Sequence, residues 1–310
     1  MFSNEKRTQK RSPRTLKMES LEKRTVFAGN VILAFSPANA DLLLIGDSAN
    51  NSVSIQPNGA GGVTVVGRQG TTVNGLPSQN FAAAQLGTIT SMLDRGSDSI
   101  SIVDLVFSRL DLQETLGDDN VNLENVRVLG NVSINSALGD DDIRINGLIQ
   151  GSVVIDSGKG NDRVSVSGRI GVPLDSMGNL RDGYVFGTLQ TGFLGINSGA
   201  QKDKVSLTAL DVDGRIFIDT GSHDDDVQTD LVRSIFIDLQ TDQGDDKVNI
   251  SRTQAFQIIA SLGAGSDLLK TDLATLTSVP MFFMDGGTGV DTLDRNGNVG
   301  GIEVGFEIFI

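Results

Sequence analysis

The chain has no cysteine, no tryptophan, a single tyrosine, a single histidine and only six prolines among its 310 residues. Without cysteine it can form neither disulfides nor thiolate metal sites, which fits export by a bacterium-like cell that does not rely on oxidative stapling. With 14 Phe, one Tyr and no Trp, large rings are too scarce to fill an ordinary globular core, so small aliphatic side chains must fill it. No apolar run of about 18 residues occurs, so no segment reads as a membrane-spanning helix. His-Glu-x-x-His, Gly-x-Ser-x-Gly and phosphate-loop motifs are all missing. The lone His223 stands in a His-Asp-Asp-Asp run that reads as an exposed turn rather than as a catalytic base.

Charge is present and lopsided. The formal net charge is −14, yet residues 1–24 hold eight Lys/Arg against three acids, so the remainder is five charges more acidic than the whole. An acidic body repels phosphate and anionic lipid and attracts cations, which argues against nucleic acid as a partner. Residues 1–40 read as a basic, disordered export or targeting segment. Within it Val26–Phe35 is a short apolar stretch ahead of Ala38-Asn39-Ala40, the outline of a signal peptide with an Ala-x-Ala site.

Arg14, Leu16, Glu19, Leu21, Glu22 and Arg24 form an R-x-L-x-x-E-x-L-E-x-R pattern. It resembles the segment that opens many predicted extracellular proteins of planctomycete bacteria, and the resemblance implies a secreted or cell-surface destination. It covers about 15 residues and carries no chemistry. As physics the same stretch is a short amphipathic helix with i,i+4 charge partners.

The rest of the chain repeats. The unit Gly-x-Asp-x-aliphatic recurs around Asp98, Asp119, Asp141, Asp162, Asp246, Asp267 and Asp291, with Gln201 and His223 in place of the glycine in the copies at Asp203 and Asp225. From Asp98 onward the aspartates follow at 21, 22, 21, 41, 22, 21, 21 and 24 residues. The 41 reads as two periods, with an aspartate-free rung whose loop is Pro173–Gly183. An early copy places Asn51 two longer periods before Asp98. Alternating pairs such as Val121/Leu123, Ile143/Ile145 and Val164/Val166 announce strands. A second strand (Val132–Asn135, Val153–Asp156) precedes each turn, and short pieces such as Val126–Val128 suggest a third. The expected fold is all-β: a parallel β-helix with rungs of about 21–22 residues over 41–310, irregular in 41–95, with an antiparallel β-sandwich as the rival. The 14 phenylalanines, several of them in the rungs after residue 185, are expected to be inward fillers rather than binding residues.

One rung per period stacks Asp119, Asp141, Asp162, Asp203, Asp225, Asp246, Asp267 and Asp291 along one edge. Carboxylates about 5 Å apart repel by roughly 3 kcal/mol at an effective dielectric near 20. Calcium, which takes six to eight oxygens, would offset this. The turns at Gly158–Val164 and Gly286–Leu293 are similar to the hemolysin-type RTX calcium repeat, Gly-Gly-x-Gly-x-Asp-x-aliphatic-x. That resemblance implies a metal role for the eight aspartates, although RTX repeats recur every nine residues on both sides of a roll and these only once per rung. The alternative is that each Asp bonds its own turn. The function so read is a secreted or cell-surface structural or interaction protein with an unidentified extracellular or envelope partner. A polysaccharide-degrading β-helix lyase or hydrolase is the alternative, disfavoured by the lack of aromatic platforms.

Overall fold

The computed structural model describes residues 29–181, 186, 191–272, 281–295 and 301–310. The segment at residues 14–24, the start of the Val26–Phe35 stretch, and Tyr184 lie outside the described residues. Every described element is a strand, and all strands but two short ones belong to one continuous hydrogen-bonded sheet of 26. The sheet winds into a β-solenoid of about nine turns, as the repeat predicts. No helix among the described residues is long and apolar enough to cross a membrane.

Alternation in sequence becomes alternation in burial. In β7 (Leu86–Arg95), β8 (Ser99–Val103), β9 (Val106–Leu116), β10 (Asn120–Val128), β11 (Val132–Asn135), β12 (Asp142–Ile149), β13 (Val153–Asp156) and β14 (Arg163–Ile170), aliphatic side chains point inward between polar ones. Parallel pairing of β10 with β12 and of β12 with β14 sets Val121, Ile143 and Val164 in register. The column continues through Val205, Val227, Val248, Leu269 and Leu293, none more than 1% exposed. Burying each such side chain is worth about 1.5–3 kcal/mol, and none is buried until the next rung is in place. The expected third strand is the far half of a bent one: β10 shifts register between Leu123 and Val126, and Asn125 turns the corner at φ 52°.

Four details depart from the sequence reading. No rung lies between Asp162 and Asp203: β14 pairs directly with β16 (Lys204–Val212), and β13 with β15 (Gly192–Asn197). The described residues that follow Ile170 leave the coil and fold over Arg127, which donates to Asn179 Oδ1 at 2.7 Å. A tolerated insertion costs little because loop closure entropy grows slowly with length, and the sequence alone could not tell an inserted loop from an inserted rung.

Similarly, Asn51 is one rung, not two, ahead of Asp98. The strand β3 (Ser52–Pro57) pairs in parallel with β8, and the residues after it make an antiparallel extension, β4 (Val63–Gly67) and β6 (Ser78–Phe81), with the short β5 (Thr72–Val73) laid parallel to Asn30 and Val31. The first strand, β1 (Asn30–Ser36), opens ahead of the expected boundary at 40. It pairs antiparallel with β2 (Asp41–Ile45) and places Val31 and Leu33 in the core. Together β1 and β4 cover the edges of β2 and β3, which would otherwise invite foreign strands.

Nor do the phenylalanines fill the interior. Among the described residues only Phe107 and Phe282 are buried, whereas Phe236 and Phe256 meet edge to face on the outer surface, ring centres 6.2 Å apart. Rungs of this width are already filled by Val, Ile and Leu. At the other end Ile302–Val304 and Ile308–Phe309 add a last partial rung in parallel.

Candidate functional site: a buried carboxyl column

Seven of the nine aspartate turns are built on glycine because rungs touch there. A Cβ on Gly139 would stand 1.8 Å from the carbonyl oxygen of Gly117, and one on Gly160 would stand 1.7 Å from that of Gly139. Their φ values of 141° and 149° lie where side chains are strained. Gln201 and His223 occupy the same place by swinging φ to 88° and 91°.

Two residues after that glycine comes the aspartate, and the structure stacks all eight predicted residues, with Asp98 as a ninth, in one axial file. None is more than 3% exposed. Each presents Oδ1 to the backbone N–H of the column residue one rung earlier. The N–H of Asn51 donates to Asp98 at 2.6 Å, Asp98 to Asp119 at 2.7 Å, Asp119 to Asp141 at 2.8 Å and Asp141 to Asp162 at 2.9 Å. Asp162, Asp203, Asp225, Asp246 and Asp267 continue to Asp291 at 2.8–2.9 Å. The file ends where Asp291 N–H donates to Glu307. The carboxyls therefore bond neighbouring rungs rather than their own turns, so residues distant in sequence supply the missing acceptor for a buried N–H.

The second oxygen is different. Oδ2 of all nine aspartates is buried without a hydrogen-bond partner. Inside the coil, five residues before Asp141, Asp162, Asp203, Asp225 and Asp246, stand Ser136, Ser157, Ser198, Thr220 and Thr241, none more than 1% exposed. The hydroxyls of Ser157, Ser198, Thr220 and Thr241 favour the ionised form of the Asp in their rungs and so work against the rise that burial causes. Sequence reasoning missed this second column. Aligning the repeats on the aspartate would have found it, because a polar residue recurs at an inward-facing position. In the Asp119 rung the place belongs to Glu114, 3% exposed, with both carboxyl oxygens unpartnered.

Burial dominates the electrostatics. It pushes Asp141 and Asp203 up to about 8, Asp119, Asp225 and Asp267 to about 7, and Asp162 and Asp246 to about 6. Neighbouring carboxyls add to the rise, and the ladder N–H opposes it. Glu114, deepest of all, reaches about 9.

A second file lies outside. Asp140 N–H donates to Asp118 Oδ1, Asn161 N–H to Asp140, Asp245 N–H to Asp224 and Ser266 N–H to Asp245. This exposed ladder runs in the opposite sense, each side chain serving the rung after it. Lys202 pairs across rungs with Asp224 at 2.6 Å, and Lys204 with Asp226 at 3.0 Å.

The turns do not fit a calcium shell. Oδ1 is committed to backbone, and among the described residues no three Asp, Glu, His or Cys side chains converge as a metal-holding group. Searches against family models, curated proteins and solved structures found no match, so what this column does rests on its own residues.

Proposed function

We propose that the chain is a secreted or cell-surface structural module, an acidic rod whose task is to hold shape and present its outer faces. The observation that carries this reading is the unbroken ladder from Asn51 to Asp291. The most polar part of the interior is spent on joining rung to rung, at about one net kcal/mol per hydrogen bond. About nine turns at roughly 4.8 Å each give a rod of about 40 Å. Cross-rung ion pairs such as Arg215–Asp238 and Arg233–Asp211 decorate its surface.

An envelope destination also agrees with the acidic body and the basic start of the sequence. Fractionation and surface labelling of intact producing cells test it: an antibody to the rod should stain unpermeabilised cells or collect in the medium. Confinement to the cytosol, or turnover of uronate-containing polymers by the purified chain, would replace the structural reading.

A further inference from the structure

The unpartnered Oδ2 atoms ask for something the backbone does not supply. Asn51, first in the file, shows what fits. Its Nδ2 sits where the aspartates carry Oδ2 and donates to the carbonyls of Ala49 and Asp47 in its own turn, at 2.6 and 3.0 Å. A donor at this position is thus satisfied locally, while a bare carboxylate oxygen meets no N–H, and only in some rungs does a hydroxyl stand near it. The need is sharpest where no hydroxyl stands five residues earlier. There Asp119 faces Glu114, an acceptor opposite an acceptor, and Asp267 shares its rung with the apolar Leu262.

We infer that the ligand of this column is the proton: the buried aspartates are neutral acids, each donating from Oδ2 as Asn51 donates from Nδ2, and Glu114 faces Asp119 as a further protonated acid. The solenoid is then an acid-stabilised rod that loosens as its column is stripped of protons. The groups facing the column leave little alternative compensation. Around Asp119, Asp141 and Asp162 they are Glu114, Asp98, Asp118, Asp140 and Asp156, all acids. Cations approach at Asp225, where His223 is near and Lys202 adds its charge. The upward shifts produced by burial agree with this arrangement.

Infrared spectroscopy of the full chain across about pH 4 to pH 9 reads the protons directly. The expected result is a non-ionised carboxyl carbonyl band that persists at neutral pH, weakens in Glu114→Gln and in Asp141→Asn, and is unchanged by millimolar calcium or by chelator. The melting temperature should fall as the band is lost. Loss of the whole band around the ordinary Asp range near pH 4 would overturn the inference. So would calcium abolishing the band while raising the melting temperature at neutral pH. The wild-type spectrum decides without any variant having to fold, and it does so whatever the cellular location of the rod.

Discussion

The amide of Asp162 donates to Oδ1 of Asp203 at 2.8 Å across 41 residues of sequence. In six other steps of the file the same bond spans 21 or 22 residues, as from Asp141 to Asp162 or from Asp203 to Asp225, while it spans 24 from Asp267 to Asp291 and 47 from Asn51 to Asp98. The rung-to-rung geometry is therefore indifferent to what happens between Ile170 and Leu194.

Excising residues 172–191 should leave a folded solenoid. A Cβ on Gly171 would stand 2.3 Å from Cα of Gly192, so these two residues already lie about one peptide apart. Joining them gives Ile170 and Leu194 the spacing of Ile149 and Val153 in the rung below. Val172 and Leu174 are buried, and their loss should lower the melting temperature without changing the far-UV circular dichroism per residue. A collapse of the β signal would show that the excursion is part of the coil.

Replacing Asp203 with Ala removes the acceptor for the Asp162 N–H inside the coil. An orphaned buried donor costs about 1–3 kcal/mol, readable as a lower urea midpoint with unchanged slope. Asp203→Asn keeps the acceptor and gains a donor toward the turn carbonyls, so it should be neutral or stabilising near pH 8. Equal damage from both substitutions would mean that a charge, not a hydrogen bond, is required.

Stability should fall as pH rises. The folded column holds its protons up to about 6–8, against an ordinary Asp value of 3.8. Below about pH 4 both states are protonated and the full stability is present. Between there and the folded pKa the unfolded chain has already ionised, so each retained proton weakens the fold by up to about 1.4 kcal/mol per pH unit. Melting curves at pH 4.5, 6 and 8, roughly spanning this window, should give successively lower midpoints. A midpoint that climbs with pH would mean the carboxylates are ionised and paired.

At the turn glycines, Gly160→Ala should be severe, since the strained φ alone costs about 1–3 kcal/mol and its Cβ would press on Gly139. Gln201→Gly should work the other way and stabilise by about 1 kcal/mol, because Gln201 holds φ 88° with a side chain attached. Comparing unfolding free energies of the two variants with the parent decides the matter.

Truncating the outward rings separates surface from core. Phe256→Ser should move stability by about 0.5 kcal/mol or less, while Phe282→Ala, 6% exposed, should cost about 3–5 kcal/mol.

The period, the strands and the aspartate file were legible in the sequence because each is a local rule repeated. Alternation at Val121/Leu123 or Ile143/Ile145 makes a strand wherever it occurs, and a Gly two residues before Asp makes this turn wherever it occurs. What the sequence could not fix was which copies become neighbours. That choice depends on backbone groups finding partners along the axis, and it decided that Asp162 lies against Asp203 and Asn51 against Asp98. Stacking also decided the interior. Only when rungs close on one another do Ser136, Ser157 and Glu114 turn inward beside the carboxyls and lose their water, and desolvation, a property of the packed state alone, then turns a row of ordinary aspartates into weak acids.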